Sequence, residues 1–369
     1  MRNRRYLKQK PDYSLALCVF ALVVFGLVMI SSASAVLSYQ QFGRDDYYLM
    51  RQVGAFVVGL LAWLVCQGID YHFYRKVSHF LLLFTLLLLV LVFVPHIGQS
   101  FRGVSRWIGI GGAVFQPSEI AKLTLIIYLA AWFEGKKEEI IQFQKGFLPF
   151  ILLLAIFAFL LMKQPDLGSL VILAGVSFAV AFLAGMPVWH LLAGLAGGFL
   201  VLISLVKYAP YRMARVIAFL HPESDPLGIA YHIRNALIAI GSGGLFGRGF
   251  GQSYQKHLFL PEAHTDSIFA IIAEELGFLR VSLLLFAFGF IAYKGYQIAL
   301  RAPDTFGRLL AGGITTWLVF QAFVNIAGLS GLLPFTGVPL PFISYGGTSL
   351  VVSLAAVGIL LNVSKYRSR

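Results

Sequence analysis

Long apolar runs recur along the chain, and shorter segments that carry most of the charge separate them. An apolar run of about 17 to 25 residues, wound as an α-helix, crosses the roughly 30 Å hydrocarbon core of a bilayer. We count ten runs of about this length and predict that each forms a membrane-spanning helix. They cover residues 14–37, 53–69, 79–94, 118–133, 146–162, 167–185, 188–206, 267–293, 309–333 and 344–364.

The composition supports this interpretation. Hydrophobic residues make up 59% of the 369 residues and charged residues 12%, with a mean hydropathy of +0.81. Such a chain has too few polar groups to cover a water-soluble globule. We therefore predict an all-α polytopic membrane protein of about ten transmembrane helices, with residues 1–369 forming a single membrane domain. The first run is longer than a signal-peptide core and leads into further spans, which argues against a cleaved signal.

Lysine and arginine collect in the tail before the first run, in every second connection after it, and in the last residues. Because positive charge favours the cytoplasmic side, both termini should be cytoplasmic, with residues 1–12 and 365–369 as basic tails. This bias explains much of the net charge of +13, so no nucleic-acid partner is needed. The residues concerned are Arg2, Arg4, Arg5, Lys8, Lys10, Arg75, Lys76, Lys136, Lys137, Lys145, Lys294, Arg301, Arg308, Lys365, Arg367 and Arg369.

The longest connection, residues 207–266, lies between the seventh and eighth runs and is predicted to be extracytoplasmic. Loops of this length are usually functional or disordered. Here residues 231–240 have an amphipathic helical pattern, and glycines at 241–249 supply tight turns that bring backbone close to what lies beneath. We expect a partly helical loop that lies on the bundle as a lid. The glycines lack the strand and helix of a nucleotide-binding loop.

The connections predicted to lie outside carry more positive charge than the topology rule explains. An arginine-rich surface suits a polyanionic ligand such as a diphosphate, because guanidinium groups bind phosphates through two parallel hydrogen bonds. Anionic lipid headgroups are an equally good partner on charge alone. From residue 96 onward the cations are Arg102, Arg106, Lys163, Lys207, Arg212, Arg215, Arg234, Arg248 and Lys256, and the acids are Asp166, Glu223, Asp225, Glu262 and Asp266.

Ionisable residues also occur inside the predicted helices. Glu119 and Lys122 are three residues apart, so they share one helical face and can pair, either beside a functional cavity or as a structural ion pair. Glu274 and Glu275 lie two turns into the eighth helix, where we expect partial hydration. Arg280 lies deeper and has no obvious partner in the sequence.

Asp266 ends the segment Leu-Pro-Glu-Ala-His-Thr-Asp at residues 260–266, directly before the eighth run. The dipole at a helix N-terminus favours the charged carboxylate, which then serves as a base or as a ligand for Mg²⁺ or Mn²⁺. A helix cap is the simpler alternative. Asp166 similarly either contacts substrate or an ion, or caps the sixth helix. A lone histidine such as His264 is more often a hydrogen-bonding residue than an acid or a metal ligand.

Five motifs, in order along nearly the whole chain, resemble the SEDS family (shape, elongation, division and sporulation), which includes FtsW and RodA. Residues 211–228 resemble the division members more than the elongation members. The chain departs from the family pattern at His232, Arg234, Asn235 and Ser267. The motifs are Arg-Trp-Ile-Gly at 106–109 with Phe-Gln-Pro-Ser-Glu at 115–119, Gln-Pro-Asp-Leu-Gly at 164–168, residues 260–266, Ala-Glu-Glu-Leu-Gly at 273–277, and Pro-Leu-Pro-Phe-Ile-Ser-Tyr-Gly-Gly at 339–347.

The resemblance implies a peptidoglycan glycosyltransferase that polymerises lipid II into glycan strands at the outer leaflet of the bacterial cytoplasmic membrane. It also implies a class B penicillin-binding transpeptidase and other cell-division proteins as partners, in addition to membrane lipid. Asp266 corresponds to the family's essential catalytic aspartate. Predicted contacts to lipid II and the growing strand are Arg106, Gln116, Ser118, Glu119, Lys122, Gln164, Asp166, Arg212, Arg215, Arg248, Lys256, Glu262, His264, Thr265 and Ser344.

The chemistry is consistent with one carboxylate. Sugar transfer from a lipid diphosphate needs an activated acceptor hydroxyl and a stabilised diphosphate, but no acid to protonate the leaving group. Glycoside hydrolysis, in contrast, typically uses two carboxyl groups. A divalent cation is compatible with this scheme and an organic cofactor is not needed. Two other functions fit the same helices: a transporter that flips the lipid-linked precursor, and a scaffold that recruits the transpeptidase.

Overall fold

The structure, a computed structural model, describes residues 7–101, 104–110, 113–207, 210–220 and 229–367. Helices form most of it, and five short strands are added at the two ends of the bundle. The helices are α1 Tyr13–Phe42, α2 Tyr47–Gly68, α3 His72–Leu91, α4 Pro117–Lys136, α5 Leu148–Lys163, α6 Leu167–Leu183, α7 Val188–Lys207, α8 Pro210–Leu220, α9 Ile229–Ser242, α10 Ile268–Arg301, α11 Thr305–Leu329 and α12 Gly347–Ser364. The strands are β1 Leu7–Lys8, β2 Gly98–Phe101, β3 Val104–Ile110, β4 Ala113–Phe115 and β5 Tyr366–Arg367.

Ten of these helices, α1 to α7 and α10 to α12, coincide with the ten predicted runs, which confirms the prediction of an all-α polytopic membrane protein. Within the described residues, seven helical segments are long and apolar enough to cross a bilayer. The buried share of the spanning window is 72% in α11 and 78% in α12, but 17% in α2. The first two therefore lie at the centre of the bundle, whereas α2 presents most of its surface to lipid.

The two ends of the bundle differ. At the terminal end, β1 pairs with β5 in an antiparallel ladder, and the backbone N–H of Asp12 donates to Ser364 Oγ over 3.1 Å. The opposite end, called the loop end here, carries β2 to β4, α9 and the start of α10. Both termini lie at one end, as an even number of spans requires.

The small sheet between α3 and α4 was not predicted from the sequence. Its strands run antiparallel in the order β2, β3, β4, and Gly98 on β2 pairs with Ile108 on β3. Ile108 is buried against Leu88 and Val92 at the end of α3. The sheet thus fixes the Arg-Trp-Ile-Gly motif against the bundle just before α4 begins.

The helix α10 is broken at Gly277, where φ is 74° and ψ is 176°. The break frees backbone groups that pair with the glycine-rich segment after α9: Arg248 N–H donates to Glu274 O over 3.0 Å, and Phe278 N–H to Gly244 O over 2.9 Å. A Cβ at Gly247 would lie 2.3 Å from Glu275 O, so this approach needs glycine. The predicted close approach of these glycines is confirmed.

The connection between α11 and α12 folds back into the bundle. A Cβ at Gly168 would lie 2.7 Å from Thr336 O, so the connection passes directly beside the start of α6. Farther on, Gln52 Nε2 donates to Ser344 O over 3.2 Å, and Gln52 Oε1 accepts from Gly346 N over 3.1 Å. Ser344 is buried, so the non-helical backbone before α12 is covered by protein, as the membrane environment requires.

The helix predicted at residues 231–240 is present as α9, and α8 precedes it. Two predictions about this loop lie outside the described residues. The side chains of Arg212 and Arg215 are not described, although both positions belong to α8. Residues 221–228, which carry part of the resemblance to division proteins, are also outside the described residues. Arg102, in the connection between β2 and β3, is outside them as well.

Candidate functional site

Asp266 lies at the loop end, one residue before the N-cap of α10. The helix begins at Ile268 and Ser267 occupies the cap position, so the cap interpretation of Asp266 does not match the helix start. The backbone of Asp266 is held from below, because Asn325 Nδ2 on α11 donates to Asp266 O over 2.7 Å. Its side chain is half-buried. A rigid backbone therefore carries a carboxylate that solvent reaches.

The segment before Asp266 is a compact turn around Glu262. Glu262 has a positive φ of 52°, and its carbonyl oxygen accepts hydrogen bonds from the backbone N–H groups of Thr265 and Ser267 over 3.1 and 3.3 Å. The hydroxyl oxygen of Thr265 lies 3.2 Å from Glu262 Oε2 and 3.2 Å from Asp266 Oδ1. Two carboxylates and one hydroxyl thus converge at one point.

This group of oxygens has the chemistry of a shared metal site. Mg²⁺ prefers oxygen ligands, and it commonly takes one or two protein carboxylates and completes its shell with water and substrate phosphates. Glu262, Thr265 and Asp266 meet that requirement. A dedicated cage is not formed, since no cluster of three His, Cys, Asp or Glu side chains occurs within the described ranges. The residues fit a cation that a diphosphate would share.

Gly337 forms the opposite wall. A Cβ at this position would lie 3.1 Å from Asp266 Oδ2, and the φ of 70° is left-handed. The α11–α12 connection therefore touches the carboxylate at a position where glycine is favoured on both grounds.

His264 is buried beneath the same turn. Its ring packs 4.5 Å from the ring of Tyr48 and 5.3 Å from that of Tyr345, and its carbonyl oxygen accepts from Tyr345 N over 2.9 Å. Burial lowers the pKa of His264 to about 4, against a smaller opposing effect of Glu262. The imidazole is therefore neutral at neutral pH and joins the Asp266 turn to the start of α12.

Arg51 lies next to this group and was missed by the sequence analysis. It is exposed in the first turns of α2, and its guanidinium lies 5.1 Å from the centre of the Tyr47 ring. Burial raises the pKa of the Tyr345 hydroxyl, and the charge of Arg51 together with a hydrogen bond opposes that shift. Arg51 directly precedes the second predicted run, residues 53–69, in a connection predicted to lie outside, so its positive charge is a signal that the topology rule does not explain.

A buried polar chain runs from this turn into the bundle. Asn325 also donates to Val338 O over 2.8 Å, and Gln321 Nε2 donates to Pro339 O over 2.8 Å. Lys122 Nζ then donates to Gln321 Oε1 over 2.7 Å and to Glu119 Oε1 over 2.8 Å. The predicted pairing of Glu119 with Lys122 is present, and both residues are 2% exposed.

A second cluster joins the sheet, α4 and α6. Asp166 is the N-cap of α6, and its Oδ1 accepts from Ser169 N over 3.1 Å. Its Oδ2 accepts from Ser118 Oγ over 3.1 Å and from Gln116 Nε2 over 3.3 Å. The guanidinium of Arg106 donates to the carbonyl oxygens of Gln164, over 3.0 Å, and of Pro165. These contacts cap helix ends, and contact of the same residues with substrate stays a prediction.

Two cations of the long loop, Arg248 and Lys256, pair with buried acids of α10. Arg248 Nε is 3.8 Å from Glu274 Oε1, and Lys256 Nζ is 3.2 Å from Glu275 Oε1. Both carboxylates are buried, so the expected partial hydration of Glu274 and Glu275 is wrong: the loop segment covers this part of α10. The unassigned Arg280 donates to Phe246 O in that segment over 2.8 Å. Contact of Arg248 and Lys256 with a diphosphate stays a prediction.

Known proteins are similar to this chain over nearly its whole length. A family model described as a cell cycle protein, for FtsW, RodA and SpoVE, matches residues 13–369. A probable peptidoglycan glycosyltransferase FtsW of Trichlorobacter lovleyi is 44% identical over 353 residues, which cover 96% of this chain and 93% of that protein. Stage V sporulation protein E of Bacillus subtilis is 41% identical over 363 residues, with 97% and 98% covered.

Solved structures agree. The crystal structure of the rod shape determining protein RodA of Thermus thermophilus is 32% identical, with a TM-score of 0.71 over 97% of this chain and 98% of that one. A chain from a peptidoglycan synthase complex, solved for its structural coordination of polymerization and crosslinking, is 32% identical with a TM-score of 0.79 over 96% and 97%. The resemblance found in the sequence motifs is confirmed, and the chain belongs to the FtsW, RodA and SpoVE family of cell cycle proteins, the SEDS family.

Proposed function

We propose that this protein is a peptidoglycan glycosyltransferase that polymerises lipid II into glycan strands during cell division. The observation that carries the proposal is the position of Asp266: a half-buried carboxylate at the loop end, on a backbone fixed by Asn325, beside a second carboxylate. Relatives of nearly the same length are named as probable peptidoglycan glycosyltransferases FtsW, which supports both the reaction and the division role.

In the proposed reaction, Asp266 accepts the proton of the acceptor sugar's hydroxyl as that oxygen attacks the anomeric carbon of the donor. The bond from that carbon to the lipid diphosphate breaks, and the diphosphate leaves as an anion that needs no proton. General-base assistance of this kind contributes about 10²- to 10⁴-fold in rate. The rigid turn around Glu262 and the wall at Gly337 hold the carboxylate in place, which is the kind of orientation that proximity catalysis requires.

The leaving diphosphate requires positive charge near Asp266. Arg51 is exposed at the loop end beside Tyr47 and Tyr345, and Arg212 and Arg215 are further predicted contributors. When bound, Mg²⁺ or Mn²⁺ would neutralise diphosphate charge, and Glu262, Thr265 and Asp266 are the residues that would hold it. Thr265 Oγ1 lies 3.2 Å from an oxygen of each carboxylate, and its single hydroxyl proton is donated to one acceptor at a time.

We also propose that the loop end faces outward, with both termini in the cytoplasm of a bacterium and the helices in its cytoplasmic membrane. The common location of both termini and the basic residues of the terminal end support this orientation. A class B penicillin-binding transpeptidase is the proposed partner. The similarity to a chain of a complex that coordinates polymerization with crosslinking supports it.

Purified protein in vesicles, supplied with lipid II, tests the function. We expect glycan polymer from the wild type and from Asp46→Asn, a matched carboxylate change at the same end whose partner Arg44 is 3.1 Å away and exposed. Asp266→Asn should make polymer at least about 10²-fold more slowly. Translocation of lipid II without polymer would indicate a transporter, and neither product, even with the transpeptidase added, would indicate a scaffold. Mg²⁺, Mn²⁺ or a chelator in parallel reactions would decide the metal requirement.

A further inference from the structure

One face of α9 is attached to the segment that ends in Asp266. His232 and Asn235 are three residues apart and therefore share a helical face. His232 Nε2 lies 2.5 Å from Ser267 Oγ, directly after Asp266. Asn235 Nδ2 donates to Phe259 O over 3.2 Å, at the other end of the segment. The helix thus holds the segment at both ends.

The partners of Ser267 Oγ are consistent with His232 as a donor. Ser267 Oγ also lies 3.1 Å from Pro261 O, and a carbonyl oxygen only accepts. With the single hydroxyl proton of Ser267 directed to Pro261 O, His232 Nε2 is the donor to Ser267 Oγ. A neutral imidazole with its proton on Nε2 and an imidazolium both satisfy this bond.

His232 also reaches the opposite wall of the site. Its ring lies 4.5 Å from the ring of Phe335, in the connection between α11 and α12. Phe335 is two residues before Gly337, the residue whose backbone approaches Asp266 Oδ2. One imidazole therefore contacts both chain segments that border the carboxylate.

The contact joins positions at which the sequence departs from the SEDS pattern. The sequence departs from the SEDS pattern at His232, Asn235 and Ser267, among other positions. Of these residues, His232 forms a hydrogen bond with Ser267. We propose that His232, acting through Ser267 and Phe335, is a positioning residue that sets the carboxylate of Asp266 for proton transfer. This inference rests on the proposed glycosyltransferase function.

The test compares variants of His232 in lipid II polymerisation, with rates normalised to folded protein. His232→Phe keeps a ring against Phe335 and removes the donor. Because a displacement of about 1 Å costs about 10²-fold in rate, we expect kcat to fall about 10- to 100-fold while KM for lipid II stays within about threefold. His232→Gln, which restores a donor at similar reach, should recover kcat to within about threefold of the wild type.

Ser267→Ala should lower kcat as His232→Phe does, and the double variant should be no worse than the poorer single variant, since both remove one interaction. Tyr296→Phe is the control: it removes a hydroxyl that is 3.0 Å from Thr316 Oγ1, in the half of α10 farther from the site, and should leave kcat unchanged.

Three results would overturn the inference while the wild type makes polymer: wild-type kcat in His232→Phe, no recovery in His232→Gln, or multiplicative losses in the double variant. A wild type that makes no polymer would instead refute the proposed function.

Discussion

The buried pair of Glu119 and Lys122 gives the sharpest stability prediction. Lys122 Nζ is 2.8 Å from Glu119 Oε1, and both residues are 2% exposed. The second carboxylate oxygen of Glu119 is buried and makes no hydrogen bond with the part of the chain that the structure describes. Lys122→Met would therefore leave a buried charge without compensation.

The magnitude follows from that environment. Removing one member of a buried ion pair costs about 3–5 kcal/mol in the free energy of unfolding, whereas replacing both by apolar residues of similar volume is often neutral or stabilising. We expect Lys122→Met to lose about 3–5 kcal/mol. The double variant Glu119→Leu, Lys122→Met should be close to the wild type. Gln321 Oε1 loses its bond from Lys122 in both variants but keeps the donor Trp317 Nε1 at 2.8 Å.

Reversible unfolding in mixed micelles, followed by tryptophan fluorescence, measures these free energies. The control is Lys136→Met, because Lys136 is 2.9 Å from Glu139 in a pair whose side chains are 30% and 42% exposed. Solvent screens that pair, so its loss should leave the free energy of unfolding nearly unchanged. The reasoning would be refuted by a Lys122→Met protein as stable as the wild type, or by a double variant that shows the sum of two single losses. Polymerisation by a stable double variant would identify the pair as structural, and its absence would place the pair in the reaction.

Two further predictions concern the loop end. Gly247→Ala should lose about 1–3 kcal/mol from its left-handed backbone alone, and more from the clash with Glu275 O. Gly241→Ala has open space around its Cβ and lies in α9, so it should be neutral or slightly stabilising. Thermal unfolding compares the two variants, and equal stability would contradict the packing described. The pKa of His264 is about 4 in the folded protein, below its usual value near 6.5, so the unfolded chain takes up a proton first as the pH falls. Stability should therefore be complete above about pH 6.5 and decrease by up to about 3 kcal/mol towards pH 4. His264→Phe should remove that part of the pH dependence, and an unchanged pH profile would show that His264 is not its source.

The helices could be predicted because the length and apolar composition of a membrane span can be read from consecutive residues. The position of Asp266 also followed from local sequence, since an acidic residue directly before an apolar run must lie near a helix start. The small sheet could not be found in this way, because its strands have only 4, 7 and 3 residues, and two of the strands contain a glycine.

The roles of the cations depend on distant contacts and were harder to predict. Arg248 and Lys256 were assigned to an anionic ligand from charge alone. In the structure they lie beside Glu274 and Glu275, which are far from them in the sequence and belong to α10. The sequence shows neither that the glycine-rich segment covers α10 nor that Gly277 breaks that helix. Arg51 was missed for the related reason that its neighbours at the site come from the far end of the chain.

The central claim is that the carboxylate of Asp266 takes part in the chemical step of glycan polymerisation. The direct measurement is the rate of a single turnover of lipid II by Asp266→Asn, with lipid II binding measured on the same preparation and Asp46→Asn as the matched control. The account predicts a loss of at least about 10²-fold in rate, with binding within about threefold of the wild type. A folded Asp266→Asn protein that extends glycan strands at the wild-type rate would contradict it.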